Sequence, residues 1–296
     1  MRDNGVAIVC IDGSFFQTNE NSALRHRIAH GFHGLFLCTL FILYRAGGLN
    51  ATEVQRLHEV NLEELDLEYV DHLMTHFPAD WQETVSSPEA RQEEWLALEA
   101  IYKTGEALSI GISHYCSKHI LDILWVATVT PAINQVEYHV GSQDIDNVIE
   151  TCSDFGITFM SFSPLCGPCT YEPADSLVHG DLVTEIAAQY QHGSSNSQSE
   201  NTNHESSFGD TEVNGSQVSL RYIVQQGIPV IPKSNTMAHI VSNLQIFDFQ
   251  LSDAHMERLG RATKPEAEGG DCDVLESHSF LSPPSSLSSL EAYIAR

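Results

Sequence analysis

Short apolar runs recur along the chain, and amphipathic stretches separate them. The runs are rich in β-branched and aromatic residues, which is typical of strands. They lie at residues 6–11, 35–41, 69–75, 107–112, 132–138, 157–162 and 229–231. Most are apolar at nearly every position, so we expect both faces of these strands to be buried, as in a parallel sheet.

The stretches between the runs have apolar residues at the three- and four-residue spacing of a helix face. They lie at residues 52–65, 88–103, 117–124, 142–155, 182–190 and 218–226. Strands that alternate with helices predict an α/β fold with a parallel sheet. Buried faces throughout favour a sheet closed into a TIM-type (β/α) barrel.

Two segments do not follow this alternation. Residues 192–215 are rich in Ser, Asn and Gly and almost lack apolar side chains, which predicts a disordered insertion. Residues 264–296 are acidic and then rich in Ser and Pro, which predicts a loosely packed tail. The sequence therefore predicts one barrel domain over residues 1–263, with the insertion inside it and the tail after it.

Composition narrows the classes of function. A hydrophobic content of 42% in 296 residues is enough for a sizeable core. The formal net charge of −26 argues against nucleic acid and membrane surfaces as partners. The most apolar stretch, residues 34–44, is shorter than the about 20 residues that span a bilayer. Seven cysteines and an N-terminus without a signal-peptide pattern predict reduced thiols in a cytoplasmic protein.

One stretch has the chemistry of an anion site. The apolar run that ends at Ile231 is followed by Lys233, Ser234 and Thr236, and a helix pattern starts directly afterwards. Unpaired N–H groups at a helix start, the helix dipole and a lysine all favour a bound phosphate. The sequence therefore predicts a phosphate site at this strand-to-helix junction.

Five segments resemble the aldo-keto reductase family, and they follow one another in the family's order. They are LEYVDHLMTHFP at 67–78, GEALSIGISHY at 105–115, PAINQVEYH at 131–139, TFMSFSPL at 158–165 and the phosphate segment at 231–249. The resemblance implies a (β/α)8 barrel that binds NADP(H) and acts on a small carbonyl or alcohol substrate. The family has a complete strand–helix unit before the strand at 6–11, so we expect a barrel that lacks its first β/α unit.

The resemblance also implies a set of cofactor residues. Ser113 and Gln135 match the groups that hold the nicotinamide carboxamide, with His114 where the family has asparagine. Phe162 stands at the position of the ring that stacks on the nicotinamide. The remaining implied contacts are Ser163, Pro164 and Leu165 for the pyrophosphate, and Lys233, Ser234, Thr236, His239 and Asn243 for the adenosine phosphate. His239 replaces an arginine, whose planar fork binds a phosphate with two hydrogen bonds.

The family's catalytic tetrad is Asp, Tyr, Lys and His, and only half of it is matched. Asp12 and His76 stand at two of the positions, whereas Gln17 replaces the tyrosine and Leu40 the lysine. A glutamine amide donates a hydrogen bond but releases no proton at neutral pH. Loss of a general acid lowers a rate by about 10²–10⁴. The resemblance therefore implies an oxidoreductase with impaired activity, or a non-catalytic NADP(H)-binding or interaction module.

Two features keep rival hypotheses open. Cys166 and Cys169 form a CxxC motif that is typical of dithiol redox proteins, although no thioredoxin-like context surrounds it. His72 and His76 have the even spacing of one strand face, and a metal would need a third ligand such as Asp12 or Glu137. We predict no metal site and expect His76 to orient a carbonyl oxygen. The oligomeric state stays open.

Overall fold

The computed structural model describes residues 9–12, 37–40, 48–78, 87–142, 144, 146–165, 176–191, 212–234 and 236–262. It contains strands β1 (Val9–Asp12), β2 (Leu37–Leu40), β3 (Leu73–Met74), β4 (Ile110–Ser113), β5 (Ile133–Glu137) and β6 (Thr158–Phe162). Each strand overlaps a run that the apolar pattern predicts. The prediction of an α/β fold with a parallel sheet is therefore confirmed.

All the strand pairs are parallel and follow the order of the chain. β1 pairs with β2, and β3, β4, β5 and β6 form a second sheet in sequence order. The sheet continues beyond β6, because Ser161 donates to the Pro229 carbonyl at 2.8 Å and accepts from the Ile231 amide at 3.1 Å. The last predicted strand, at 229–231, therefore takes the next place in the sheet.

From β2 onwards, helices lie between successive strands. They are α1 (Ala51–Leu65), α2 (Pro88–Thr104), α3 (Ser117–Leu124), α4 (Val148–Asp154), α5 (Ser176–His179), α6 (Asp181–Ala187), α7 (Gly215–Val224), α8 (Met237–Leu244) and α9 (Asp253–Gly260). A 3₁₀ turn, Gln245–Phe247, follows α8. Local chemistry sets their ends: Ser87 caps α2 with Pro88 at its first position, and Gly105 ends it in the left-handed conformation.

One helix is shorter than its apolar pattern predicts. The stretch 142–155 was expected to be helical throughout, but α4 begins only at Val148. Asn147 has a φ of 52°, which interrupts the helix, and the Asp144 carboxylate accepts from the amides of Val148 and Ile149 at 2.6 and 2.9 Å. An acidic side chain that satisfies the first free amides of a helix favours a start at this point.

The predicted insertion has a different C-terminal boundary in the structure. Val213 is buried, and the Asn214 side chain forms a capping box with Gln217 at the start of α7. The motif satisfies two backbone donors at once, which fixes the helix start. Residues 212–215 therefore belong to the folded part. Residues 192–211, the CxxC pair at 166 and 169, and the tail at 264–296 lie outside the described residues.

The core lies between the sheet and the helices that cover it. Trp95, Leu98 and Ile101 of α2 are fully buried, together with Ile110 and Ile112 of β4. No helix of the described part is long and apolar enough to cross a membrane.

The expectation of uniformly reduced thiols is wrong at one position. Cys116 is in a disulfide, whereas Cys152 is a buried free thiol. The number of cysteines in a sequence does not tell which sulfur atoms the fold brings together.

Glu99 of α2 is hydrogen-bonded to the loop that precedes β5. Its buried carboxylate accepts from the amides of Thr128 and Val129 at 2.6 and 2.9 Å, and from Lys103 at 3.1 Å. Burial by itself raises the pKa of Glu99, but the hydrogen bonds from Thr128 and Val129 lower it, and the net shift is downward. The ionised form is therefore the one that the fold uses.

We expect Glu99→Ala to lower the free energy of unfolding by about 1–3 kcal/mol, because it leaves two partly buried backbone amides without their acceptor. Urea unfolding at pH 7 measures the effect, with the exposed Glu63→Ala as the matched control. The carboxylate's contribution is present above its unfolded pKa and is lost as the pH falls through its lower folded pKa. Equal unfolding midpoints for the Glu99→Ala and Glu63→Ala variants would contradict this role.

Candidate active site

The carboxyl ends of β3 to β6 bring several predicted site residues to one edge of the sheet. The register places Ser113 beside Gln135 and Glu137 beside Phe162. The ladder extends past the end of β4, because the His114 amide donates to the Gln135 carbonyl at 2.9 Å. Ligand sites of parallel barrels lie at this edge.

Ser113 and Gln135 are both buried, at 0% and 3% exposure. The Ser113 hydroxyl donates to the backbone carbonyl of Gln135 at 2.9 Å, which joins β4 to β5 at the level of the site. The Gln135 amide lies 3.8 Å from the Met160 sulfur, a weak acceptor. The glutamine side chain is thus held in place by a bond that a stronger acceptor can replace.

His114 follows β4 with a φ of 60°, which is uncommon for a residue other than glycine. Its Nδ1 lies 3.0 Å from the His76 carbonyl oxygen and 3.0 Å from the Ser113 hydroxyl. A carbonyl only accepts, so Nδ1 carries the proton and Nε2 a lone pair. Burial lowers the pKa of His114 to about 4, so the ring is neutral at pH 7.

Four rings form a cluster at this edge, with His114 in contact with the other three. Its centroid lies 4.3 Å from that of Phe77, 4.8 Å from that of Phe162 and 5.3 Å from that of His76. His76 and Phe77 are themselves 4.0 Å apart. Offset and tilted contacts of this kind stabilise aromatic pairs. Phe77 is not among the residues predicted from the sequence. The signal that could have indicated it is its position directly after His76.

His72 does not belong to this cluster. It is buried, its Nδ1 is hydrogen-bonded to the Ser109 hydroxyl, and burial lowers its pKa to about 4. A Cβ at Gly111 would lie 2.6 Å from His72 Nε2, so the ring packs directly against the β4 backbone. These contacts fit a structural histidine. Within the described residues, no three His, Cys, Asp or Glu side chains are grouped to hold a metal ion.

The predicted phosphate segment follows the last strand position. Lys233 is exposed, Ser234 is half-buried, and the Ser234 hydroxyl accepts from the Thr236 amide at 3.1 Å. Thr236 is the N-cap residue of α8, with no hydrogen bond from its side chain to the helix. His239 is exposed and Asn243 half-buried on that helix. A strand that leads into a helix start with a lysine beside it is the expected form of an anion site.

Comparison with known proteins decides the family. The model of the aldo/keto reductase family matches residues 44–264. The chain belongs to the aldo/keto reductase family. Glyoxal reductase of Bacillus subtilis is 30% identical over 217 residues, which are 73% of this chain and 65% of that protein. Aldose reductase B of Dictyostelium discoideum is 29% identical over 228 residues, 71% of this chain and 64% of that protein. The chain thus spans just under two thirds of these relatives.

Solved structures of the family agree in fold. Aldose reductase from Schistosoma japonicum superposes with a TM-score of 0.59 at 25% identity, over 79% of this chain and 71% of that one. A Bombyx mori aldo-keto reductase in complex with NADP gives 0.65 at 23% identity, over 82% and 74%. Members of the family are (β/α)8 barrels, and the sequential parallel sheet of this chain is consistent with that architecture.

The site residues implied by the family fall into two groups in this aldo/keto reductase. Ser113, His114, Gln135 and Phe162 come together, and Ser163, Pro164 and Leu165 follow β6 directly. The structure describes less of the positions that correspond to the catalytic tetrad. Asp12 and Leu40 are neighbours in the β1–β2 ladder, but only their backbone is described, and Gln17 lies outside the described residues. The family match begins after all three positions.

Three histidines that are wholly or partly buried have pKa values well below the usual range. Burial lowers the pKa of His72 and His114 to about 4 and, with the charges of Arg91 and Lys118, that of His119 to about 3. The unfolded chain binds these protons near pH 6.5, so the contribution of these histidines to stability falls as the pH drops from about 6.5 towards 4. Glu94, whose pKa burial raises to about 8, contributes with the opposite sign over this range.

We expect on the order of 1–2 kcal/mol lost per histidine between pH 7 and pH 5. Urea unfolding at the two pH values measures the loss, and the ring signals of His114 in NMR spectra measure its pKa. A ring that titrates near pH 6.5 would contradict the buried, neutral state of His114.

Proposed function

We propose that this aldo/keto reductase binds NADP(H) and transfers hydride between the nicotinamide and a small carbonyl or alcohol substrate, at a low rate. The observation that carries the proposal is the group formed by Ser113, Gln135 and Phe162. It offers buried polar atoms and an aromatic ring side by side at the carboxyl edge of the sheet. A flat ring that carries a carboxamide, such as nicotinamide, needs polar partners for the carboxamide and an aromatic ring to stack on.

The neighbouring strand positions support one continuous binding surface. β6 pairs directly with residues 229–231, so the loop at 163–165 and the loop that contains Lys233 leave adjacent strands. A dinucleotide with its nicotinamide at Gln135 and its adenosine phosphate at Lys233 would cross one intervening strand. In a chain of net charge −26, Lys233 supplies a local cation for the phosphate.

His76 is the residue proposed to orient the substrate oxygen. It follows β3, is half-buried, and its ring packs on Phe77. When bound, NADPH would supply the hydride. The proton for the reduced oxygen has to come from water or from a group other than Gln17, because an amide releases no proton at neutral pH. This is the physical reason for a low rate.

A second candidate function is a non-catalytic NADP(H)-binding module. It is favoured by the ladder position of Leu40, which lies directly beside Asp12. A leucine there brings no cation next to the carboxylate and cannot lower the pKa of a proton donor. We propose a cytoplasmic location for both candidate functions, and an impaired activity for the first.

Titration with NADPH tests cofactor binding, followed by the change in cofactor fluorescence. We expect Gln135→Leu to weaken binding by about tenfold, because the carboxamide loses a buried hydrogen-bond partner. The exposed His179→Asn, on α5, is the control that should bind as the unmodified chain does. No binding at millimolar NADPH would overturn both candidate functions.

Rebuilding the tetrad tests the cause of the low rate. We expect the double variant Gln17→Tyr, Leu40→Lys to reduce a reactive aldehyde about 10²–10⁴ times faster than the unmodified chain under single-turnover conditions. Adding His76→Ala to the double variant should lower that rate again. A double variant that binds NADPH and gains no rate would reject Gln17 and Leu40 as the missing acid and cation. It would favour the non-catalytic function.

A further inference from the structure

The ring expected to stack on the nicotinamide already has a neighbour. The centroids of Phe162 and His114 are 4.8 Å apart, with the ring planes inclined by 45°. Two rings at that separation are in van der Waals contact. A third flat ring cannot take the place beside Phe162 that His114 occupies unless the imidazole moves.

Several interactions hold His114 in that position. Its amide is bonded to the Gln135 carbonyl, and its Nδ1–H lies 3.0 Å from both the His76 carbonyl and the Ser113 hydroxyl. Phe77 packs on the ring at 4.3 Å and an angle of 34°. The imidazole therefore contacts both phenyl rings, and its Nδ1 proton is used within the protein by the His76 carbonyl.

We propose that His114 closes the nicotinamide side of Phe162, and that the imidazole has to turn away before the nicotinamide can stack. This inference rests on the proposed function and adds a positioning residue to it. His114 then acts against cofactor binding rather than as a carboxamide ligand. The apparent affinity for NADP(H) is reduced by the fraction of molecules in which the ring covers Phe162.

Asparagine is the substitution that separates this role from a structural one. It is shorter than histidine, so it leaves Phe162 uncovered, and it keeps a donor near the Ser113 hydroxyl. It also tolerates the φ of 60° at this position, so the backbone should be retained. The neutral state of the imidazole means that the exchange removes no charge from the site.

The test compares two probes by calorimetry. NADPH contains the nicotinamide, whereas adenosine 2′,5′-bisphosphate contains only the part that the Lys233 loop would hold. We expect His114→Asn to bind NADPH about three to ten times more tightly than the unmodified chain. The affinity for the bisphosphate should stay within about twofold. His179→Asn, an exposed histidine on α5, is the matched control.

The outcomes distinguish this inference from the proposed function. Tighter NADPH binding by His114→Asn, with none by the unmodified chain, supports closure by His114 and overturns the proposed function. Binding of NADPH by both chains with equal or lower affinity in the variant overturns the closure and leaves the proposed function standing. If His114→Asn changes the affinity for the bisphosphate by the same factor as the affinity for NADPH, the closure is also overturned. The effect would then not be confined to the nicotinamide end of the site. Absence of binding by both chains overturns both.

A second measurement needs no variant. In NMR spectra of the unmodified chain, NADP⁺ should shift the His114 ring signals, because the ring leaves its contact with Phe162. The bisphosphate should leave those signals in place. Ring signals that do not move when NADP⁺ is bound would contradict the inference.

Discussion

The parallel, sequential hydrogen bonding of β3 to β6 is the constraint on which the site depends. Parallel strands in chain order direct all their carboxyl ends to one edge, and the register then decides which side chains meet. The register of β4, β5 and β6 pairs Ser113 with Gln135 and Glu137 with Phe162, and the Ser113 hydroxyl therefore reaches the Gln135 carbonyl. A slip of one residue would turn these side chains to the other face of the sheet.

The sequence predicts the elements of this fold well, because strands that are buried on both faces must be apolar at almost every position. The helix before β6 is predicted too long, since the cap from Asp144 is a side-chain contact that periodicity does not contain. The two histidines at 72 and 76 look alike in the sequence. Only the packing of His72 against Gly111 separates the structural ring from the one beside His114.

His114 shows where prediction of the site from sequence ends. The family resemblance treats it as a replacement for a carboxamide ligand, and residue type alone supports that view. Its actual place depends on a left-handed backbone conformation and on contacts with Phe77 and Phe162, which lie at the ends of two other strands, β3 and β6. The position at the end of β4 thus keeps its place in the fold, whereas the contacts of its side chain do not follow from residue type.

The central claim is that one dinucleotide spans the sheet edge from Gln135 to the start of α8. Hydrogen exchange with and without NADP⁺ tests it most directly, because the amide of His114, those of residues 135–138 and those of residues 236–240 belong to separate elements. The account predicts slower exchange in all three regions when NADP⁺ is present. Protection confined to residues 236–240 would contradict it, as that pattern would place only the adenosine phosphate on the protein.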